Sequence, residues 1–246
     1  FNTAQSPQQA YEAAYAFGNF QSMISELDPS KLHKTIPHFH NTPIRYQTFL
    51  DALAKDEHNR AQYCKKVIDA IQAREHYCDV FMKMGRENIM PDRISHNDTK
   101  LNNVLFDTNN GRALCVIDLD TVMPGQSLFD FGDLVRTATS PTDEDEVDLS
   151  KIKVQMPLFE AIARGYHEST KSFLSPIEKE NMVFSGKLIT YEVAIRFLTD
   201  YLLGDEYFKI SYERQNRNRS KAQMALVQCI EEQEEQMNRF VESLED

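Results

Sequence analysis

The sequence predicts an α+β fold that is mainly helical and carries one short β-hairpin. Several long segments show helical periodicity bounded by cap and proline signals, and a single Asn110-Gly111 pair sits between two apolar runs. At 246 residues with 41% apolar content, the chain can also bury a sizeable core.

Taken in order, Ser6-Pro7 opens a first helix as cap and first-turn proline, with Tyr11, Ala14, Phe17 and Ile24 among its apolar positions. Pro29 marks its end or the loop that follows, and Pro37 and Pro43 bracket a connector holding His38 and His40. A second helix is expected from Pro43 or Tyr46, and a longer one from about His58 to Met84. The runs Val104-Leu105-Phe106 and Ala113 to Ile117 flank the turn signal. If Asn110-Gly111 forms a two-residue turn, Asn109 opposes Arg112, Phe106 opposes Cys115, and Asn103 opposes Asp118. Asp133 is expected to cap or support a helix beginning near it. Helices follow near 151–172 and 176–203, and a long one runs from about Tyr212 to Leu244. There are no internal repeats and no low-complexity segments.

Composition narrows the function. A formal charge of −11 argues against nucleic acid, whose phosphates would be repelled. Cys64, Cys78, Cys115 and Cys229 show no paired metal-type spacing and read as reduced and buried. No apolar run approaches the ~20 residues of a membrane span, and no signal peptide precedes the fold, so a cytoplasmic globular domain without a membrane partner is expected.

The chemistry concentrates in His96-Asn97-Asp98-Thr99-Lys100-Leu101-Asn102-Asn103 and Val116-Ile117-Asp118-Leu119-Asp120. Phosphoryl transfer from a magnesium nucleotide needs a carboxylate to accept a hydroxyl proton, cationic groups around the transferring oxygens, and oxygen ligands for the metal. Asp98 fits the first need, Lys100 the second, and Asn103 with Asp118 the third. Opposed across a hairpin, Asn103 and Asp118 would have Cβ atoms roughly 5 Å apart and could share one cation. Asp120, on the same strand face if the chain stays extended, either binds metal or orients the ligands around it. The plainer reading of the stretch is a hairpin with polar ends.

The stretch from Ile94 to Arg136 resembles the aminoglycoside-phosphotransferase and choline-kinase superfamily, whose fold is protein-kinase-like and whose members phosphorylate small molecules. The wording His-Asn-Asp-Thr-Lys-Leu-Asn-Asn-Val, Val-Ile-Asp-Leu-Asp-Thr-Val-Met-Pro-Gly and Asp-Phe-Gly-Asp-Leu-Val-Arg is similar to the N-acetylhexosamine 1-kinases, and the likeness continues through Ile36 to His40 and Arg196 to Lys209. It implies a kinase carboxyl lobe with a short catalytic hairpin, using Mg²⁺ and ATP to phosphorylate the anomeric hydroxyl of N-acetylglucosamine or N-acetylgalactosamine. It further implies Asp98 as general base, Asn103 and Asp118 as magnesium ligands, and Arg196, Tyr207 and His40 on the sugar. From the residues alone, Arg196 is equally read as an ion-pair partner of Glu192 or Asp200, and Tyr207 as a packing aromatic.

Asp130-Phe131-Gly132 spells the kinase metal tripeptide but lies 32 residues beyond Asp98, whereas Asp118 lies 20 beyond, close to the kinase separation. Asp130 is therefore expected to accept hydrogen bonds from the backbone around His96 to Asp98 and to fix that loop. His38-Phe39-His40 alternates like a metal pair but has no third ligand in register. Asp143 to Glu146 reads as a solvated loop. Arg214, Arg217, Arg219 and Lys221 read as a patch that meets a phosphate or offsets Glu231 to Glu235.

One departure from the resemblance is large. The chain has 8 glycines and none forms a Gly-x-Gly loop, nor does a strand-borne lysine precede a helical glutamate. Residues 1–246 are thus expected to be the carboxyl lobe alone, with the nucleotide-binding amino lobe absent, from a parent roughly a hundred residues longer. Another sugar or amino-alcohol kinase, or a fragment that binds and catalyses nothing, are the alternatives.

Overall fold

The computed structural model describes residues 3–245. In chain order the elements are α1 (Pro7–Met23), α2 (Thr42–Lys55), α3 (Lys65–Gln72), α4 (Val80–Arg86), β1 (Arg93–Ser95), β2 (Val104–Phe106), β3 (Ala113–Val116), β4 (Met123–Gly125), α5 (Ser127–Ala138), α6 (Met156–Thr170), α7 (Pro176–Glu180), α8 (Met182–Leu203) and α9 (Gln215–Glu242). Helices dominate, with two antiparallel strand pairs, β2 with β3 and β1 with β4. The second pair, Arg93 opposite Gly125 to Ser95 opposite Met123, carries no turn signal in sequence because its strands are three residues each and 27 residues separate them. Among the described residues no helix is long and apolar enough to cross a membrane.

Core formation centres on α8. Nearly every position from Met182 to Leu202 is buried, so this helix is covered on all sides, by α5, α9 and α2. Gly204 ends it in the left-handed region, φ 107°, closing the last turn with bonds to Asp200 and Tyr201. A second packing unit joins α1 to α6, where Gly165 lets the Tyr11 backbone approach: a Cβ there would lie 2.5 Å from the Tyr11 carbonyl oxygen. Ser6 caps α1 by accepting from Gln9 N, the role its position before Pro7 suggests.

Several boundaries differ from expectation. The helix anticipated over 58–84 is broken into α3, α4 and two 3-10 turns, Ala61–Tyr63 and Glu75–Tyr77. No proline or glycine announces the breaks. Asp56 Oδ1 accepts from the backbone of Arg60 and Ala61, and Cys64, Ile71 and Cys78 are pulled onto the core of α8, so side-chain capping and burial override periodicity. Similarly, the stretch 176–203 splits at Asn181 into α7 and α8, and the helix expected over 151–172 starts only at Met156, after a 3-10 turn at Leu149–Lys151. Helix α1 stops at Met23, ahead of Pro29. Only Cys64 and Cys78 are buried, since Cys115 stands on the outer face of the hairpin and Cys229 is half-buried.

Glu178 is the electrostatic anchor between α7 and both β1 and α5. Its side chain is fully buried and accepts from Arg93 Nε (2.8 Å) and Nη2 (2.7 Å), Ser127 Oγ (2.6 Å), and Ser175 N and Oγ; the bond from Ser175 N, with the one from Glu178 N to Ser175 Oγ, makes a capping box. Burial works to raise its pKa, but Arg93 and the two serines hold the carboxyl below its ordinary value. A folded-state pKa below the unfolded one contributes stability above about pH 4. That contribution is lost as pH falls through the folded value. Glu178→Gln is expected to cost about 3 kcal/mol at pH 7, because it strands Arg93, and to flatten the acid limb of melting temperature against pH. Parent and variant with parallel curves from pH 7 to 3 would remove Glu178 from that role.

Candidate active site

The segment 96–103 between β1 and β2 is tied down at both ends of its backbone. Asp130, buried on α5, accepts from His96 N (2.9 Å) through Oδ2 and from Asn97 N (2.7 Å) through Oδ1, and Gln21 Nε2 of α1 also donates to Oδ2. The bonds meet the backbone where the sequence placed them. Burial pushes the Asp130 carboxyl above its ordinary value, against the pull of these N–H donors. Thr99 adds two further bonds, Oγ1 to the Asp130 carbonyl (2.7 Å) and N to Asp133 Oδ2 (2.9 Å). His96 lies buried between Phe17 and Phe20, with Nε2 3.0 Å from the Ile117 carbonyl, so it links this loop to the end of β3. Asn97, at φ 67°, holds the turn by donating to the Ser95 and Thr121 carbonyls.

Held by this frame, Asp98 is partly exposed. Its Oδ1 lies 3.0 Å from Lys100 Nζ and its Oδ2 accepts from Asn103 Nδ2 at 3.0 Å. Asn103 Nδ2 also donates to the Asp98 carbonyl, so Asn103 braces the carboxylate and leaves its own amide oxygen free for another partner.

The hairpin register slips from the expected one by one residue at Val104 and Leu105 and by two at Phe106. Val104 opposes Val116 and Leu105 opposes Cys115, but Phe106 opposes Ala113 across an irregularity. Asp107, not the Asn-Gly pair, organises the loop: its carboxylate accepts from Asn109 N and Nδ2 and Asn110 Nδ2, while Gly111, φ 72°, bonds back to the Asp107 carbonyl. Asn103 therefore meets Ile117, whose N donates to the Asn103 carbonyl at 2.9 Å, and not Asp118. Asp118 follows at φ 64°, ψ 61°, and Leu119–Thr121 form a 3-10 turn, so Asp118 and Asp120 do not share a strand face as an extended chain would require. Both side chains are exposed, and a left-handed carboxylate at a strand end fits a functional constraint.

The donor set suits magnesium bound with nucleotide phosphates. Among the described residues no group of three His, Cys, Asp or Glu forms a cage. Mg²⁺ takes one or two protein oxygens plus phosphates, and the free amide oxygen of Asn103 with the exposed carboxylate of Asp118, one residue past its backbone partner, match that demand.

Around Arg196, neither Glu192 nor Asp200 forms the expected ion pair. Glu192 is fully buried and occupied by His40 Nδ1 (2.8 Å) and Thr42 Oγ1 (2.6 Å); against burial, these two and the more distant charge of Arg196 hold its carboxyl below the ordinary value. Asp200 accepts from Tyr207 N, Phe208 N and Asn216 Nδ2. The Arg196 guanidinium instead lies over Phe39 (5.3 Å), Phe208 (5.5 Å) and Tyr207 (6.0 Å). It shares a hollow of about 180 Å³ with Arg45, Asp200 and Tyr207, a residue 69% exposed. His40 lies outside that hollow and lines another, of about 450 Å³, that reaches Asn97. The three expected sugar contacts thus divide between two hollows.

Three further expectations change. Asp133 sits inside α5, which starts at Ser127, so it caps nothing; it pairs with Arg136 at 2.8 Å and holds Thr99 N. The acidic segment 143–146 is engaged rather than merely solvated, with Glu144 on Arg136 and Asp145 on Tyr212 and Gln215. The acids near Glu231 find other cations, Arg74 and Lys187, not the Arg214 to Lys221 group. The joint of Asp133, Arg136 and Glu144 carried no signal in sequence, because only the helix turn of α5 and a loop 11 residues on bring the three together.

Residues 2–173 match the phosphotransferase enzyme family (APH). Among solved structures the chain is similar to choline kinase from Cryptosporidium parvum Iowa II, with a TM-score of 0.51 and 16% identity over 97% of this chain and 69% of that one. At that identity the likeness is one of fold.

Proposed function

Because the chain belongs to the phosphotransferase enzyme family and acts as a phosphotransferase on a hydroxyl acceptor, we propose that it carries the γ-phosphoryl group of Mg-ATP to the anomeric hydroxyl of an N-acetylhexosamine. The observation that carries the reading is the Asp98 carboxylate, braced by Lys100 and Asn103 at 3.0 Å each on a loop whose backbone Asp130 holds. Asp98 accepts the proton of the attacking hydroxyl, and Lys100 lies where it can meet the transferring oxygens. Bound magnesium supplies charge neutralisation at the phosphates, and Asn103 and Asp118 are the residues to hold it.

A neutral, oxygen-rich acceptor is favoured by the Arg196 hollow. Two guanidiniums, Arg45 and Arg196, face it, which disfavours a quaternary ammonium such as choline, while an arginine fork and the Tyr207 ring suit sugar oxygens. A Gly-x-Gly phosphate loop is not among residues 1–246, and we assign that role to a nucleotide-binding lobe outside them. The deciding experiment incubates the full-length protein with Mg-ATP and N-acetylglucosamine, N-acetylgalactosamine or choline, and reads the product by phosphorus NMR. An anomeric phosphate is expected; phosphocholine with no sugar phosphate would overturn the reading.

Arg196→Lys separates the sugar role from a packing role. Lysine keeps the charge but loses the fork, so KM for N-acetylglucosamine is expected to rise about tenfold with the magnesium dependence unchanged. A lowered melting temperature with a parental KM would retire Arg196 as a sugar contact.

A further inference from the structure

Beyond the groups placed on the reaction, a chain of bonds runs from the last helix to the Asp98 loop. Asp133 Oδ2 accepts from Thr99 N at 2.9 Å, and its Oδ1 accepts from Arg136 Nε at 2.8 Å. Arg136 is as buried as Asp133, and its Nη1 donates to Glu144 Oε1 at 2.7 Å. The other Glu144 oxygen lies 3.5 Å from Arg219 Nε on α9, and Asp145 next to it accepts from Tyr212 OH (2.7 Å) and Gln215 Nε2 (2.8 Å) at the start of that helix. The same turn of α9 also reaches the acceptor side: Asn216 Nδ2 donates to Asp200 Oδ2 at 2.8 Å, and Asp200 holds the backbone of Tyr207 and Phe208.

We propose that Arg136 and Glu144 are positioning residues, a strut that ties the Asp98 loop to the turn of α9 that also holds the Tyr207 loop. The role assigned to Asp98 and Tyr207 under the proposed function is the premise for its kinetic consequence. Arginine suits the joint because its planar fork meets two carboxylates in fixed directions, and the buried pair with Asp133 leaves little freedom. Burial raises and Arg136 lowers the Asp133 pKa, with the net direction downward, consistent with an ionised strut. Thr99 follows Asp98 directly, so a strut on its amide limits how far the base can drift, and misplacement of about 1 Å can cost up to 10²-fold in rate.

The test uses Glu144→Gln in the full-length protein, because Glu144 is 39% exposed and its loss leaves no buried charge alone. Hydrogen exchange at the Thr99 amide, read without substrate, is expected to quicken about tenfold, and kcat to fall about tenfold with acceptor KM within twofold. Arg136→Lys keeps the charge on Asp133 but cannot span to Glu144, and should move both readouts the same way. Parental Thr99 exchange in Glu144→Gln overturns the strut whatever the substrate proves to be. Faster exchange with parental kcat overturns its link to the base. Failure of every acceptor leaves the exchange result standing, so it bears on the proposed function and not on the strut.

Discussion

Asp98→Asn in the full-length protein is expected to lower turnover by about 10²-fold or more while acceptor binding changes little. The geometry makes the substitution sharp. Asparagine fills the same space and keeps one oxygen, but the side chain loses its charge toward Lys100 and its capacity to take a proton. Asp130, Asp133 and Thr99 hold the backbone without the Asp98 side chain, so the loop should persist. Steady-state kinetics with acceptor calorimetry on the same variant separates chemistry from binding. Near-parental turnover would remove Asp98 from the mechanism.

The second large effect is structural and falls on the tripeptide that resembles a kinase metal motif. Gly132 is where α5 and α8 touch: an added Cβ would lie 2.5 Å from the Ser185 carbonyl oxygen and 2.7 Å from Ile189 Cγ1. Backbone cannot yield as a flexible side chain does. Gly132→Ala must therefore move one helix off the other, at about 3 kcal/mol or more. For a chain of this size that is roughly 6 to 12 °C in melting temperature. Calorimetry decides it, and an unchanged melting temperature would show that the helices slide freely. Gly186, on the facing stretch of α8, makes a smaller version of the same contact, 2.9 Å from Val135 Cγ1.

How much of this was legible in the sequence depended on how local the cause was. The Ser6 cap, the Pro7 start, the hairpin's presence and the backbone bonds of Asp130 follow from short-range chemistry or from a carboxylate spaced after a loop that needs it. The hairpin register did not, because Asp107 captured the Asn109 and Asn110 side chains and made a longer loop than the Asn-Gly pair alone suggests. That one-residue slip moved Asp118 from the strand into a left-handed turn. Around Arg196, sequence spacing put Glu192 and Asp200 one helical turn away on either side. His40 and Asn216, distant in sequence, claimed both carboxylates and left the guanidinium to three aromatic rings. The Arg136 to Glu144 strut is of the same kind: Glu144 reads in sequence as part of a solvated loop, and nothing there points Arg136 toward it.

The pairing of α1 with α6 has a consequence for synthesis. Helix α1 is synthesised before its partners, yet Gly18 is shaped for Ser169 and Gln21 for Asp130 and Tyr166, all more than a hundred residues downstream. At a translation rate of about 5 to 20 residues per second, α1 waits roughly 7 to 30 s with Ala10, Ala14 and Phe17 uncovered. The segment 96–103, whose backbone Asp130 holds, is therefore braced through Gln21 by a helix that is synthesised before it and docks late. Ribosome-stalled chains ending before Met156 should be cut by protease within residues 7–23, and chains extended past Thr170 should resist.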